Sequence, residues 1–544
     1  MRCRCRIILT LLLAIATVAV AQDSAPVEAP SKALADARET DRLLQTELAL
    51  NSRDLAPRTD DVAFLRRVFL DIVGVPPTPE DVLAFSFDTS EDKRARVIDR
   101  LLDDPRYGRN WARYWRDVIL YRRTEERAGI AATAMAQYLT EQLNANTPWN
   151  ELAASFVTAT GDVRENGAAG LIMAQGGRPE DTVSELSRIF LGIQIQCAQC
   201  HNHPTDRWQR EQFHQLAAFF PRVAVRPVRE ETRIVSYEVT VTDRTPLRRP
   251  MGNNRFRGTP EHSMPDLERP DQPGRVMQPV FFVTDDKLSL GTPDEDRREA
   301  LAAWMTSSRN PWFARALVNR LWAELVGEGF YPGVDDIGPD RDAYAPETLD
   351  HLAASLSNSG YDVKQLLRTI MNTEAYQRES RNRRPAGETP FISNYAQRLR
   401  GDQLFNSLLD VLEVREEQSP EDAPIYQLAR RPRVMFNQTF GYDPSEVRED
   451  VQGAIPQALY LMNSPIIERA VSAGPQSVLG RMMREYRDDE DLIAALYLKT
   501  LSRQPRPAEI RVAKEHLDQA RTRDEGFADL LWALLNSADF LYRR

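Results

Sequence analysis

Apolar residues recur at helical spacing through most of this chain. Between Asp61 and Ile72, Phe64, Val68, Phe69 and Ile72 share one face. Pro76-Pro77-Thr78-Pro79 interrupts the pattern, and Thr78 is placed to cap a new helix with Pro79 at its first position. Lys93 to Leu102 and Trp111 to Tyr121 continue as amphipathic helices, separated by a turn at Pro105-Arg106-Tyr107-Gly108. Val183, Leu186, Ile189, Phe190 and Ile193 mark a further helix. If it runs on, Cys197, Cys200 and His201 stand at i, i+3 and i+4 on one face. Pro204 disfavours helix at His203, which puts that residue in a turn. Asp206 is then placed to cap a helix carrying Trp208, Phe213, Leu216, Phe219 and Phe220.

The period changes in the middle of the chain. Val235, Tyr237, Val239 and Val241 alternate with Ser236, Glu238, Thr240 and Thr242, the pattern of a half-buried strand. Val276 to Val283 reads as a second strand, kept at an edge by Pro279. Arg244 to Gly274, rich in Pro, Arg, Gly and Asn, reads as a long and partly disordered loop. Helical spacing returns at Arg297 and runs to the end. Asn372-Thr373-Glu374-Ala375-Tyr376 and Asn536-Ser537-Ala538-Asp539-Phe540 each follow a similar apolar run, a faint internal repeat. The expected architecture is mainly α. A helical domain (22–225) and a second helical domain (291–544) are joined by a small β-containing segment with the long loop (226–290).

The first 21 residues have a different character. Arg2, Arg4 and Arg6 precede an apolar run from Ile7 to Val20, and Ala19-Val20-Ala21 fits a small-residue cleavage site before Gln22. This pattern is expected to export the protein to the periplasm or the cell exterior. No later stretch is long and apolar enough to be expected to span a membrane. Loss of the three arginines moves the formal charge from −10 to −13, which argues against nucleic acid as a partner. Cys3 and Cys5 leave with the signal, so Cys197 and Cys200 are the mature thiols and a framework of several disulfides is excluded.

Those two thiols stand in Cys197-Ala198-Gln199-Cys200-His201, followed by His203 and Asp206. The spacing is that of covalent c-type haem attachment, with two thiols for the vinyl groups and His201 as the proximal iron ligand. Met173 and His214 are candidates for the distal ligand. On this reading the protein is an exported haem c protein serving electron transfer or haem redox chemistry, with a redox partner protein. The alternative is a zinc-like site drawn from Cys197, Cys200, His201, His203 and Asp206, stabilising a secreted scaffold or interaction protein. A third reading is a disulfide or redox dithiol, although a catalytic pair usually starts a helix rather than ends one. Elsewhere, Asp335-Asp336 is expected to cap or to pair with arginine, and Arg320 to meet a buried carboxylate. Trp111, Tyr114 and Trp115 are expected in the core, and His262, His351 and His516 read as isolated. The chain has no Gly-rich phosphate loop, no G-x-S-x-G elbow and no His-Glu-x-x-His helix, and it names no catalytic residue.

The chain resembles the planctomycete cytochrome-C-associated secreted proteins, a two-domain family of unknown function. The N-terminal resemblance lies in Phe64 to Asp71, Trp111 to Asp117, and Phe190-Leu191-Gly192 leading into Cys197 to Trp208. The C-terminal one lies in Asn310 to Ala314, Asn319 to Trp322, Asp335-Asp336 and Pro456 to Leu459. The resemblance implies an internal CxxCH motif and an association with extracellular polymer degradation.

Overall fold

Short helices bury the apolar stripes seen in the sequence, and their ends follow local chemistry. In the computed structural model, residues 28–242, 261–416, 431–446 and 453–544 are described, apart from the single positions 270, 273, 383, 386 and 454. The expected export signal and residues 244–260 of the expected loop lie outside the described residues.

Asp60 starts the Asp61–Val73 helix by accepting from the backbone N–H groups of Val62 and Ala63 at 3.0 and 2.9 Å. Every residue of that helix from Phe64 to Val73 is buried, Arg66, Arg67 and Asp71 included, so it runs through the interior. Thr78 caps the Pro79–Phe87 helix in a reciprocal box with Asp81, as the sequence predicts. Trp111, Tyr114 and Trp115 of the Arg106–Leu120 helix are buried, and Trp115 packs on Trp149 with ring centres 4.3 Å apart.

The alternating stretch forms the Arg233–Val241 strand. It pairs antiparallel with Val223–Glu230 on one side and Gly161–Asp162 on the other. The second expected strand is split. Arg275–Val276 pairs with Ser263–Met264, and Val280–Phe281 pairs with Asp286–Lys287. Pro279, with no N–H to give, stands between the two pieces.

The faint repeat is structural. The helices Pro311–Val326, Pro346–Asn358, Val363–Met371 and Glu374–Gln377 are matched in order by Asp489–Leu501, Pro507–Gln519, Arg523–Leu535 and Ala538–Leu541. Both first helices end on a left-handed residue, Gly327 or Ser502. Asn372 and Asn536 each donate from Nδ2 to the carbonyl four residues back, at 2.8 Å. Thr373 and Ser537 then cap the last short helix by accepting from Tyr376 and Phe540 N–H, both at 3.3 Å. Neighbouring arginines of the interior helix reach the two copies. Arg67 donates to Tyr376 O and Arg378 O, and Arg66 to Asp539 O.

Two apolar cores result. The larger joins Trp111 and Phe190 to Leu301, Trp322 and Ile370, so it runs across position 291. The smaller holds Leu399 to Phe540 together with Leu70 of the interior helix. The molecule is mainly α. Among the described residues, no helix is long and apolar enough to cross a membrane.

Candidate functional site

The helix that leads to the cysteines stops before it reaches them. Pro179–Leu186 passes into one wider turn, Ser187–Leu191, and ends at Gly192 with φ +64°. A side chain at Gly192 would place its Cβ 2.7 Å from Ile337 Cγ1, and Ile337 N–H donates to Gly192 O at 2.9 Å. Glycine is therefore required both by backbone conformation and by close approach. The expectation of one continuous helix is corrected. Cys197 lies instead on a single 3₁₀ turn, Gln196–Gln199, which Cys200 terminates. Ala198 anchors the turn in the core, while both thiols are free and exposed.

His201 is exposed, and its Nδ1 lies 2.7 Å from Asn202 O. A carbonyl only accepts, so Nδ1 donates in that contact. His203 N–H donates to Trp208 O at 2.8 Å and closes the following turn, as Pro204 predicts. Trp208 is buried and packs edge-on to Phe282.

Asp206 does not cap the next helix. Gln209 and Gln212 form the box that starts Arg210–Ala217. Asp206 accepts from Arg207 N–H at 2.8 Å, and so does Asp340. Burial, and a hydrogen bond shared with the Asp340 carboxyl, push the Asp206 carboxyl above its ordinary range. Asp206 is thus engaged with Arg207 and Asp340.

The distal candidates are also committed elsewhere. Met173 is fully buried in the core. His214 is buried, with Nε2 3.0 Å from Gln199 O and Nδ1 2.9 Å from His262 Nε2. Its Nε2 therefore donates to the carbonyl and its Nδ1 accepts from His262. Burial, with His262 alongside, pulls His214 down to about 4, so it is neutral at pH 7. His262, expected to be isolated, lies against His214 with ring centres 5.2 Å apart. The two histidines are 48 positions apart across an irregular segment, and no periodicity in the sequence links them.

Among the described residues, no three His, Cys, Asp or Glu side chains converge as a metal group would need. The zinc-like set is therefore not brought together. The cavity that Cys197 lines is about 150 Å³, with Arg122, Gln175, Glu185 and Arg188 in its walls. That is below the roughly 300 Å³ at which ligand pockets begin, and its walls carry charged side chains. Cys197, Cys200 and His201 have the donor chemistry of haem c, but the surrounding residues do not fit a haem held between two axial ligands. Gln175 is buried and accepts from Thr124 at 3.0 Å, while its Nε2 has no partner among the described residues.

Behind the cavity, Arg188 donates to Asp335 at 2.7 Å and Arg320 binds the other carboxylate oxygen. Burial pushes Asp335 up, but Arg320 and Arg188 outweigh it and hold the carboxyl below its ordinary range. The expected ion pairs of Asp335 and Arg320 are both present, and Asp336 pairs with Arg341 at 3.1 Å.

Residues 39–225 match the family described as PSCyt2, protein of unknown function (DUF1549), and residues 297–517 match the one described as PSD1, protein of unknown function (DUF1553). No curated protein and no solved structure matches the chain.

Proposed function

We propose, for a chain that joins a PSCyt2 domain to a PSD1 domain, both of unknown function, that the working centre is the Cys197–His201 loop. Its two thiols act as a redox pair in an exported protein, periplasmic or extracellular. The observation that carries this reading is that both thiols are free and exposed, Cys197 on the 3₁₀ turn and Cys200 as the residue that ends it. Cysteines three residues apart at a helical turn bring their Cα atoms within the roughly 7 Å that closure to a disulfide requires.

Cys197 lines the cavity and is the thiol that meets a partner disulfide. Its thiolate attacks one sulfur and forms a mixed disulfide, and the other partner sulfur leaves as a thiolate that takes up a proton. Cys200 then attacks Cys197 Sγ, closes the Cys197–Cys200 bond and releases the second partner sulfur as a thiol. The partner gains two electrons and the loop loses two; the oxidised loop runs the sequence backwards on a partner dithiol. The exposed His201 follows Cys200 directly in the chain and serves in this proposal as the base that takes a thiol proton.

One observation favours a second reading, covalent haem c. A backbone carbonyl fixes His201 Nδ1–H, the arrangement that orients a histidine to bind iron through Nε2. Cys197 and Cys200 would hold the haem as thioethers and His201 would bind its iron, which would supply one-electron chemistry toward a redox partner protein.

A Cys200→Ser variant separates the readings. The dithiol account expects a mixed disulfide to build up on Cys197 in the exported variant and to be released by reductant. Wild-type protein made in a host competent for haem c maturation should show no thioether-linked haem. A haem spectrum that survives denaturation, with no trapped disulfide, would overturn the dithiol account and establish the second reading.

A further inference from the structure

A separate feature lies far along the fold from the cysteines. The Arg106–Leu120 helix carries Arg106, Arg109 and Arg113 at i, i+3 and i+7, along one stripe. All three line a cavity of about 460 Å³, and Arg415 and Arg433 stand in its other wall. That volume falls within the range of small-molecule sites.

The charges there are not balanced. Arg106 is paired with Asp104, and Arg433 with Glu416 and Asp402. Arg113 donates at 2.8 Å to the amide oxygen of Asn406, a neutral acceptor. Burial pulls the Arg113 guanidinium down to about 10, with Arg433 and Arg116 repelling it and Asp402 opposing them. Arg109 and Arg415 have no acidic partner among the described residues. Of the acids in the wall, Glu413 is taken by Arg481 and Lys499, and burial pushes Asp410 toward its neutral form. An acidic protein therefore holds a locally cationic cavity. Part of its wall is apolar, with Val73, Val75 and Leu409.

We propose that this cavity binds a small organic oxyanion, a carboxylate, sulfate ester or phosphate ester, gripped by Arg109, Arg113 and Arg415. A guanidinium fork matches such oxygens two at a time. The apolar wall receives the face of the body that carries the anion. The net negative charge of the whole chain selects against long polyanions and leaves a small ligand as the occupant.

Calorimetric titration of the whole chain tests this, with glucuronate, glucose 6-sulfate, glucose 6-phosphate, inorganic sulfate and inorganic phosphate as probes. At least one probe is expected to bind at a single site with millimolar or tighter affinity, weakening as salt rises. Preference for a sugar-borne group identifies an organic ligand, whereas equal affinity for the bare ions identifies a free oxyanion. Arg109→Gln with Arg415→Gln, both exposed positions, should weaken binding by about tenfold or more. Arg109→Gln alone, a single change on an exposed helix face, should weaken it in the same direction and guards against a folding defect in the pair. No binding by any probe, or unchanged affinity in a folded double variant, would overturn the proposal.

Discussion

Asp335 shows how much a single buried charge controls. Its side chain is 3 % exposed, and it neutralises Arg188 and Arg320, themselves 4 % and 1 % exposed. Asp335→Ala leaves two guanidinium groups in the core without that carboxylate, which should cost about 3–5 kcal/mol in urea unfolding. Asp350→Ala breaks a surface pair with Arg315 and should cost no more than about 1 kcal/mol. Equal small losses would contradict this account of the core. His214 supplies a pH effect at the same scale. Its folded value of about 4 lies below the ordinary 6.5, so the unfolded chain binds the extra proton between those values. The contact is fully present above pH 6.5 and is lost as pH falls toward 4. Asp41, pushed up to about 7 by burial, works in the opposite sense over much of that window, so global melting blends the two. Amide exchange in the 196–200 turn isolates the first. Protection should fall between pH 6.5 and 4 in wild type and should not do so in His214→Gln. Unchanged wild-type protection would mean that His214 does not hold the turn. That Arg320 would meet a buried carboxylate was legible because a charged residue among apolar helix positions needs a counter-charge, whereas its partner, Asp335, was not named by the pattern. The His214–His262 contact was not, because it joins a helix to an irregular segment.

At the scale of elements, the decisive position is Gly192. Helical periodicity extended past it, since Ile193 continues the apolar stripe and nothing in that stripe reveals a left-handed turn. The cause of the break lies 145 positions away, in the close approach of Ile337. Gly192→Ala should therefore destabilise the protein by about 1–3 kcal/mol and alter the reactivity of the two thiols. An Ala variant with wild-type stability and thiol reactivity would show that the turn does not depend on this glycine. Caps and prolines were read more easily. Thr78, Pro79 and Pro204 act where the sequence places them, because their effects are local. The repeat lay between these cases. Its Asn-Thr and Asn-Ser ends were visible, but the reach of Arg67 and Arg66 to the two copies becomes apparent only when the interior helix is seen between them.

For the whole molecule, the helical class followed from periodicity, whereas the cores did not. Apolar spacing shows which face of a helix is buried, not against which partner. The larger core accordingly unites helices from both expected helical domains. The site was legible as a motif and less so as a geometry. The pattern named Cys197, Cys200 and His201, but Met173 is core, His214 serves Gln199 and His262, and Asp206 faces Asp340. The central claim is that two exposed thiols work as a reversible pair. The most direct test equilibrates the native exported protein across a graded thiol–disulfide buffer, quenches by alkylation and weighs the product. The account expects one cooperative two-electron transition, with both Cys197 and Cys200 alkylated on the reducing side without denaturant and neither on the oxidising side. Sulfurs that stay blocked at every potential, or that alkylate at every potential without pairing, would contradict it.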